Sequence, residues 1–553
     1  MKKRLIYLIS ALFAFASCIT NDLPYPVVVP NVVSVEVEGA GNVEIDNAKR
    51  VITVHLQEYV NPRKVNVKSI EVDSEIAEFS SALIGVHDLS SPYRFSIRTY
   101  DDYEWTLTAV KNIERYFTVE GQIGSSVIDE ANCRAVATVG KDTDITDIKV
   151  TSLKLGPEGL SDYSKDMSSL KDFTHGQAVD VTFFDETQTW NLFVEVTDVS
   201  VDIVKVNSWA RKAYVTCAGT AGQENGVQYR KLGTLKWTPV SQEDITSEGG
   251  TFTAQINGLD PDTAYEVYAY SGEDATDVWE FTTEPATMIP NGSFEYASKV
   301  AGKDYYKFYD PSCGVTEGMY MFWGSGNGEG SEGVNGSANL GIVITYIDTE
   351  IKVDGRQAVR AQTSQMAGML AAGNLFTGQF AGLVGTSGGM VNFGRPWTTR
   401  PSALKIYCRY QTGKMDIIKG APAGVSLTKD DYDMAEIKFA VGDWDYRKYG
   451  GSKSSPVHIN TTDAGTFVDF NTDPSTIANG NLIIHHDGYV LNGEAKVSAS
   501  TGEWVEYTIP LNYRDMERMP THIIVSCAAS RFGDYFTGCS SSKLWIDAVE
   551  LIY

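Results

Sequence analysis

SRFGDYFTGCSSSKLWIDAVELIY, residues 530–553, sets an aspartate inside a run that reads as a β-strand. Alternation across LWIDAVELIY puts Trp545, Asp547, Val549, Leu551 and Tyr553 on one face and Leu544, Ile546, Ala548, Glu550 and Ile552 on the other. Both faces are largely apolar. A carboxylate placed there needs hydrogen bonds, a cation, or a position at the strand's exposed end, because an ionised group withdrawn from water is costly without them.

Similar short alternating runs fill the chain upstream. VVSVEVEG, KRVITVHLQEYV, KVNVKSIEV and FSIRTY are separated by Gly, Asn, Asp and Pro signals, and no amphipathic helix of several turns interrupts them. The pattern predicts an all-β chain. Its 553 residues are several times the usual domain size, so several cores are expected. A formal net charge of −25 argues against a nucleic-acid partner, since phosphate binding needs a basic surface that releases counterions.

The N-terminus, MKKRLIYLISALFAFASC, has Lys2, Lys3 and Arg4, then an apolar run from Leu5 to Phe15, then small residues before Cys18. That is the layout of a secretory signal over residues 1–17, too short to persist as a membrane span. It resembles a bacterial lipobox, which implies lipidation of Cys18 and a chain anchored in the cell envelope, at the outer membrane. Which face of that membrane it occupies is left open. The remaining cysteines, Cys133, Cys217, Cys313, Cys408, Cys527 and Cys539, show no zinc spacing, and buried free thiols are the expectation.

Residues 18–30, with LPYPVVVPNV, read as an extended linker. RFSIRTYDDYEWTLTAV and VDVTFFDETQTWNLFVEV then close two similar units, each with an aromatic–Asp turn and Trp-x-Leu on the last strand. They predict tandem immunoglobulin-like β-sandwiches at 31–112 and 113–202, with Trp105 and Trp190 as core residues. GLDPDTAYEVYAYSG resembles the latter half of a fibronectin type III domain, placing one at 203–285 with Tyr265 at the sheet corner.

Residues 288–553 are longer and rich in Gly and aromatics. IPNGSFEYAS and LWIDAVELIY resemble the first and last strands of jelly-roll carbohydrate-binding modules, and the resemblance implies a structural Ca2+ held by Glu295 and Asp547. The alternative is that Asp547 accepts backbone N–H bonds. FWGSGNGEG, AAGNLFTGQF, NFGRPWTTRPSALKIYCRYQTG and PTHIIVSCAASRFGDYFTGCSSSKLWIDAVEL follow the order of the PCMD family, the putative carbohydrate metabolism domain of gut-bacterial surface lipoproteins. Ser530, Gly533, Asp534, Tyr535, Phe536, Gly538 and Asp547 carry its most specific part. The resemblance implies a C-terminal jelly-roll β-sandwich with a glycan or oligosaccharide partner.

Sugar recognition joins an aromatic face to planar polar groups. Three clusters have those ingredients: Trp323 with Ser325 and Asn327; Arg395 and Trp397 with Arg400; and GDWDYRKYG, with Asp443, Trp444, Asp445, Tyr446 and Tyr449. The third is the preferred site, being loop-like and crowded with aromatics and carboxylates. Each tryptophan has an alternative as a core residue. The adjacent His485 and His486 point to opposite strand faces and make a poor metal pair. TKDDYDMAE is an Asp-rich turn without EF-hand spacing. Capture of glycans at the cell surface is the leading expectation. A glycan-processing enzyme using carboxylates such as Asp443, Asp445, Glu436 or Glu494 stays open, as does a structural or adhesive surface protein.

Overall fold

The computed structural model describes residues 27–308, 322–328, 336–366, 368–385, 388–422, 424–486, 499–500 and 502–553. Cys18, Cys313 and Glu494 lie outside these residues. The regular structure of the described chain is nearly all β, its strands joined by turns and irregular segments, and none of its helices is long and apolar enough to cross a membrane.

In the first unit, Val32–Val37, Val65–Val72 and Gly85–His87 form one sheet. The facing sheet is ordered Ala40–Asp46, Val51–Leu56, Asp102–Lys111, Tyr93–Arg98 and Glu78–Phe79, its second and third strands parallel. The second unit repeats that parallel pairing between Arg134–Gly140 and Glu186–Thr197. Trp105 and Trp190 lie on the equivalent strands and fill the cores of their units, fully buried. In the third unit the backbone N–H of Asp260 donates to the Tyr265 hydroxyl at 2.9 Å, which ties the corner to the strand that follows it.

The units are joined by specific contacts. Glu58 of the first accepts from Lys154 and the Glu114 N–H of the second. Backbone bridges Ile123–Thr220 and Gly124–Gly250 join second to third. The third is fastened to the C-terminal domain by Arg400, which is almost fully buried. Its guanidinium donates to Glu284, to the Asn207 side chain and to the Ser208 and Met516 carbonyls, and lies 4.5 Å from the Trp209 ring centre. Arg400 is therefore a joint and not a sugar ligand: every donor is spent on protein.

The C-terminal domain is a jelly roll of two packed sheets. The larger runs Gly450–Ser452, Ser455–Asn460, Gly388–Phe393, Asn374–Val384, His522–Ala528, Ala435–Gly442 and Thr476–His486. The smaller runs Thr345–Asp348, Ala358–Gln362, Lys543–Ile552, Ala403–Gln411 and Val505–Pro510. Alternate residues Ile437, Phe439, Val441, Ile523, Val525 and Cys527 of the larger sheet meet Leu404, Ile406 and Cys408 of the smaller in one core.

The last strand departs from simple alternation. Leu544, Ile546, Val549 and Leu551 all face the core, because the pairing with Ala403–Gln411 shifts register at a bulge where Ala548 has φ 45°. The extra residue reverses the faces beyond it. Asp547 is that bulge's buried carboxylate, 1% exposed. Its Oδ2 accepts from the Val353 N–H at 2.9 Å and its Oδ1 from the Ala548 N–H at 2.8 Å, so hydrogen bonds supply the compensation that burial demands.

Arg400→Ala leaves Glu284 buried without its cation, a loss of about 3–5 kcal/mol for such pairs. Scanning calorimetry is expected to show the third unit melting separately from the C-terminal domain; an unchanged profile would remove the joint from this account.

Candidate functional site

AEIKFAVG, residues 435–442, explains how polar groups come to share one open sheet face. Its apolar residues Ala435, Ile437, Phe439 and Val441 take the core face, so Glu436 and Lys438 must take the other. Strand register carries that face across the sheet. Lys438 stands opposite Ser526, which stands opposite Phe376; Glu436 stands opposite Ala528, which stands opposite Asn374. On the other side Asn481 pairs with Lys438.

Here the polar groups converge. Glu436 accepts from Asn481 Nδ2 at 3.1 Å and lies 3.4 Å from Lys438 Nζ and 3.7 Å from Arg531 Nε. Asp534 faces the same group. Burial raises its carboxyl above the usual range, Lys438 opposes that rise, and Glu436 adds to it. Burial alone would lower the Lys438 ammonium, but Glu436 and Asp534 carry it above its ordinary value. Protein surrounds Lys438 and Asp534 on most sides, yet the Lys438 side chain is 45% exposed and Asp534 is open to solvent. Both stay accessible beside the buried Glu436.

A single buried carboxylate positions the tail that brings Arg531 and Asp534 here. Asp433 Oδ2 accepts from Ser530 Oγ at 2.6 Å, Cys539 N at 2.8 Å and Ser542 Oγ at 2.8 Å, while Oδ1 accepts from its neighbour Met434 N at 2.9 Å. Gly538 is needed beside it: a Cβ there would stand 2.8 Å from Asp433 Oδ2. The Arg531 N–H donates to the Met434 carbonyl at 2.7 Å, which sets its side chain beside Glu436.

The sequence-predicted clusters fall elsewhere. Trp444 is 2% exposed, packs with Val457, Ile459 and Ile524, and donates from Nε1 to Asp473, which also accepts from the Tyr449 hydroxyl. Asp445 caps the single turn Tyr446–Tyr449 and pairs with Arg447, and Asp443 pairs with Arg518. This loop is internally fastened, and its tryptophan offers no face to a sugar. Trp323 is a core residue donating to the Pro290 carbonyl. Asn327 is wholly buried and holds the backbone of residues 344 and 345, with Ser325 buried beside it. Arg395 is equally buried on Ser455 and the Phe322 carbonyl, and Trp397 packs on Phe322 in the core. Cys527 and Cys539 are free thiols, and burial pushes the former up to about 12.

Glu295 and Asp547 do approach one loop, from its two ends. Glu295 accepts from the Arg356 N–H and Nε, each at 2.9 Å; Asp547 accepts from residues 353 and 354. Burial would raise Glu295, but the Arg356 guanidinium and the two N–H groups hold it below the ordinary range. Two carboxylates already satisfied by N–H donors do not fit Ca2+, which takes six to eight oxygens. Among the described residues no group of three or more His, Cys, Asp or Glu is placed to hold a metal. The loop is clamped by hydrogen bonds, with Arg356 as the cation.

The C-terminal domain is thus a two-sheet jelly roll that gathers Glu436, Lys438, Asn481, Arg531 and Asp534 in one polar cluster. Residues 293–552 match the family described as "PCMD: Putative carbohydrate metabolism domain", and the C-terminal region is a domain of that family. Among solved structures, a "putative glycoside hydrolase" from Bacteroides thetaiotaomicron is 19% identical, covering 79% of this chain and 95% of its own, with a TM-score of 0.30. A second, from Bacteroides vulgatus, is 19% identical over 47% of this chain and 96% of its own, with a TM-score of 0.31. No curated protein matches the chain.

Asp433 also sets a pH dependence. Burial raises its carboxyl to about 6 from 3.8, with its hydrogen bonds limiting the rise. The folded chain thus binds the extra proton between those values, so this group's contribution is fully present below 3.8 and lost as pH rises through about 6. Urea unfolding of the wild type and Asp433→Asn is expected to show the wild type losing about 3 kcal/mol relative to the variant from about pH 3 to pH 7. A pH-independent difference would contradict the raised value. Trp444→Ala is expected to destabilise the domain by about 3–5 kcal/mol, seen as a lowered denaturation midpoint.

Proposed function

We propose that the chain is a cell-envelope lipoprotein that captures glycans in the cleft of its C-terminal domain, at Glu436, Lys438, Asn481, Arg531 and Asp534. One observation carries the reading: charged and amide groups are gathered on the open face of a sheet, recessed but accessible, in a domain of a carbohydrate-related family. Carboxylate, amide and guanidinium groups are planar donors and acceptors suited to sugar hydroxyls. The lipid at Cys18 would hold the chain at the outer membrane, and three β-sandwich units would carry the cleft away from it. Many weakly binding copies on one cell would then add avidity.

Hydrolysis of the glycan is a second reading. It is favoured by two carboxylates, Glu436 and Asp534, in one cleft, with burial raising the latter, as general acid catalysis requires.

A glycan array probed with the full chain tests both. Saturable binding to related sugars is expected, weakened at least tenfold by Glu436→Gln and by Asp534→Asn. Each variant must keep the wild-type melting temperature. Binding unaffected by either substitution would displace the site, and silence of a folded chain across the array would favour the adhesive alternative. Reducing sugar released by the wild type, and lost in both variants, would establish the enzyme.

A further inference from the structure

One member of the polar cluster, Asp534, also lines a cavity of about 470 Å³, within the size range of ligand sites. Its wall is apolar, with Leu340, Ile344, Met369, Leu370, Phe380 and Phe536. The polar groups along it are mostly committed to the protein. Asn374 accepts from the Gly326 N–H and donates to the Ala372 carbonyl, and Thr461 Oγ1 accepts from the Gly389 N–H. The exceptions are Asp534, open to solvent at one edge, and Ser337, 8% exposed, whose hydroxyl has no protein partner among the described residues.

A bare sugar does not fit this cavity. Its hydroxyls would enter a wall with almost nothing to bond them, and each unpaired buried hydroxyl is costly. An alkyl chain fits the wall, and a carbonyl at its head would accept from Ser337. Asp534 lines the cavity and interacts with Lys438 and Glu436, and Asn374 of the cavity wall stands one strand beyond Ala528, the register partner of Glu436, so cluster and cavity adjoin. We infer that the cleft takes an acylated saccharide, its sugar on the Glu436–Lys438–Asp534 cluster and its acyl chain in the cavity walled by Leu340, Met369 and Phe380. The inference rests on the glycan reading above and names the class of glycan.

The test is isothermal titration of the full chain with methyl glycosides of glucose, galactose, mannose and N-acetylglucosamine, and with their 6-O-octanoyl esters. At least one ester is expected to bind about 100-fold more tightly than its parent, the gain from three or four methylenes leaving water. Leu340→Glu is expected to abolish that gain while leaving the parent's affinity unchanged. Leu340 is 43% exposed on a short 3-10 turn, so the substitution spares the core. Ser337→Ala is expected to reduce the gain severalfold. Equal affinity for ester and parent overturns the acyl inference and leaves the glycan reading standing. So does a gain that persists in Leu340→Glu. If no probe of either kind binds, the inference fails, and a silent array fails the glycan reading with it.

Discussion

The carboxylate of Asp433 is the group on which the cleft depends. It is fully buried, and three of its four hydrogen bonds reach across more than ninety residues of chain to Ser530, Cys539 and Ser542. Those bonds fold residues 530–542 into a compact tail at the end of a strand. Ser530 and Ser542 are also bonded to Thr363 and Thr412, so the same carboxylate organises a small polar core between the two sheets. A satisfied buried network of this kind fixes one arrangement, because any other leaves a carboxylate or an N–H unpaired. The consequence for function is positional: Arg531 and Asp534 reach the open face of the sheet because the tail has one path.

The class and architecture of the fold are legible in the sequence because they rest on local signals. Period-two alternation, turn residues and the repeated Trp-x-Leu strand endings are each set by a few neighbours, and Trp105 and Trp190 occupy the places their pattern implies. Alternation fails at Asp547, where a bulge reverses the faces. The residues on either side keep strand propensity, so nothing local marks the extra residue. The aspartate itself is the signal, since a carboxylate between two apolar faces needs donors that regular pairing does not give.

The cleft was less legible. Glu436 and Asp534 were within reach, the first as a candidate carboxylate and the second in the family-specific tail; Lys438, Asn481 and Arg531 were missed. A cue for two of the missed residues is present: polar residues at alternate positions of AEIKFAVG and NGNLII, in strands whose other face is apolar. The aromatic clusters share the chemistry of sugar sites. What separates them is burial, which depends on contacts far away in the chain. Asp433 lies inside TKDDYDMAE, which reads as an Asp-rich turn without EF-hand spacing, and its actual partners are distant.

The joint between the third unit and the C-terminal domain shows why composition cannot make that separation. Arg400, Trp209, Glu284 and Asn207 form a cation over an aromatic face with planar acceptors around it, which is also how a protein would grip a sugar. Here the occupant of the grip is protein. A cavity shaped for a ligand differs in leaving donors or apolar walls unspent. By that measure the concave face qualifies, with Lys438 and Asp534 open to water and an apolar cavity beside them, and the Trp323, Trp397 and Trp444 clusters do not. Accessible chemistry, rather than abundance of aromatic and charged residues, is what separates the proposed site from those clusters.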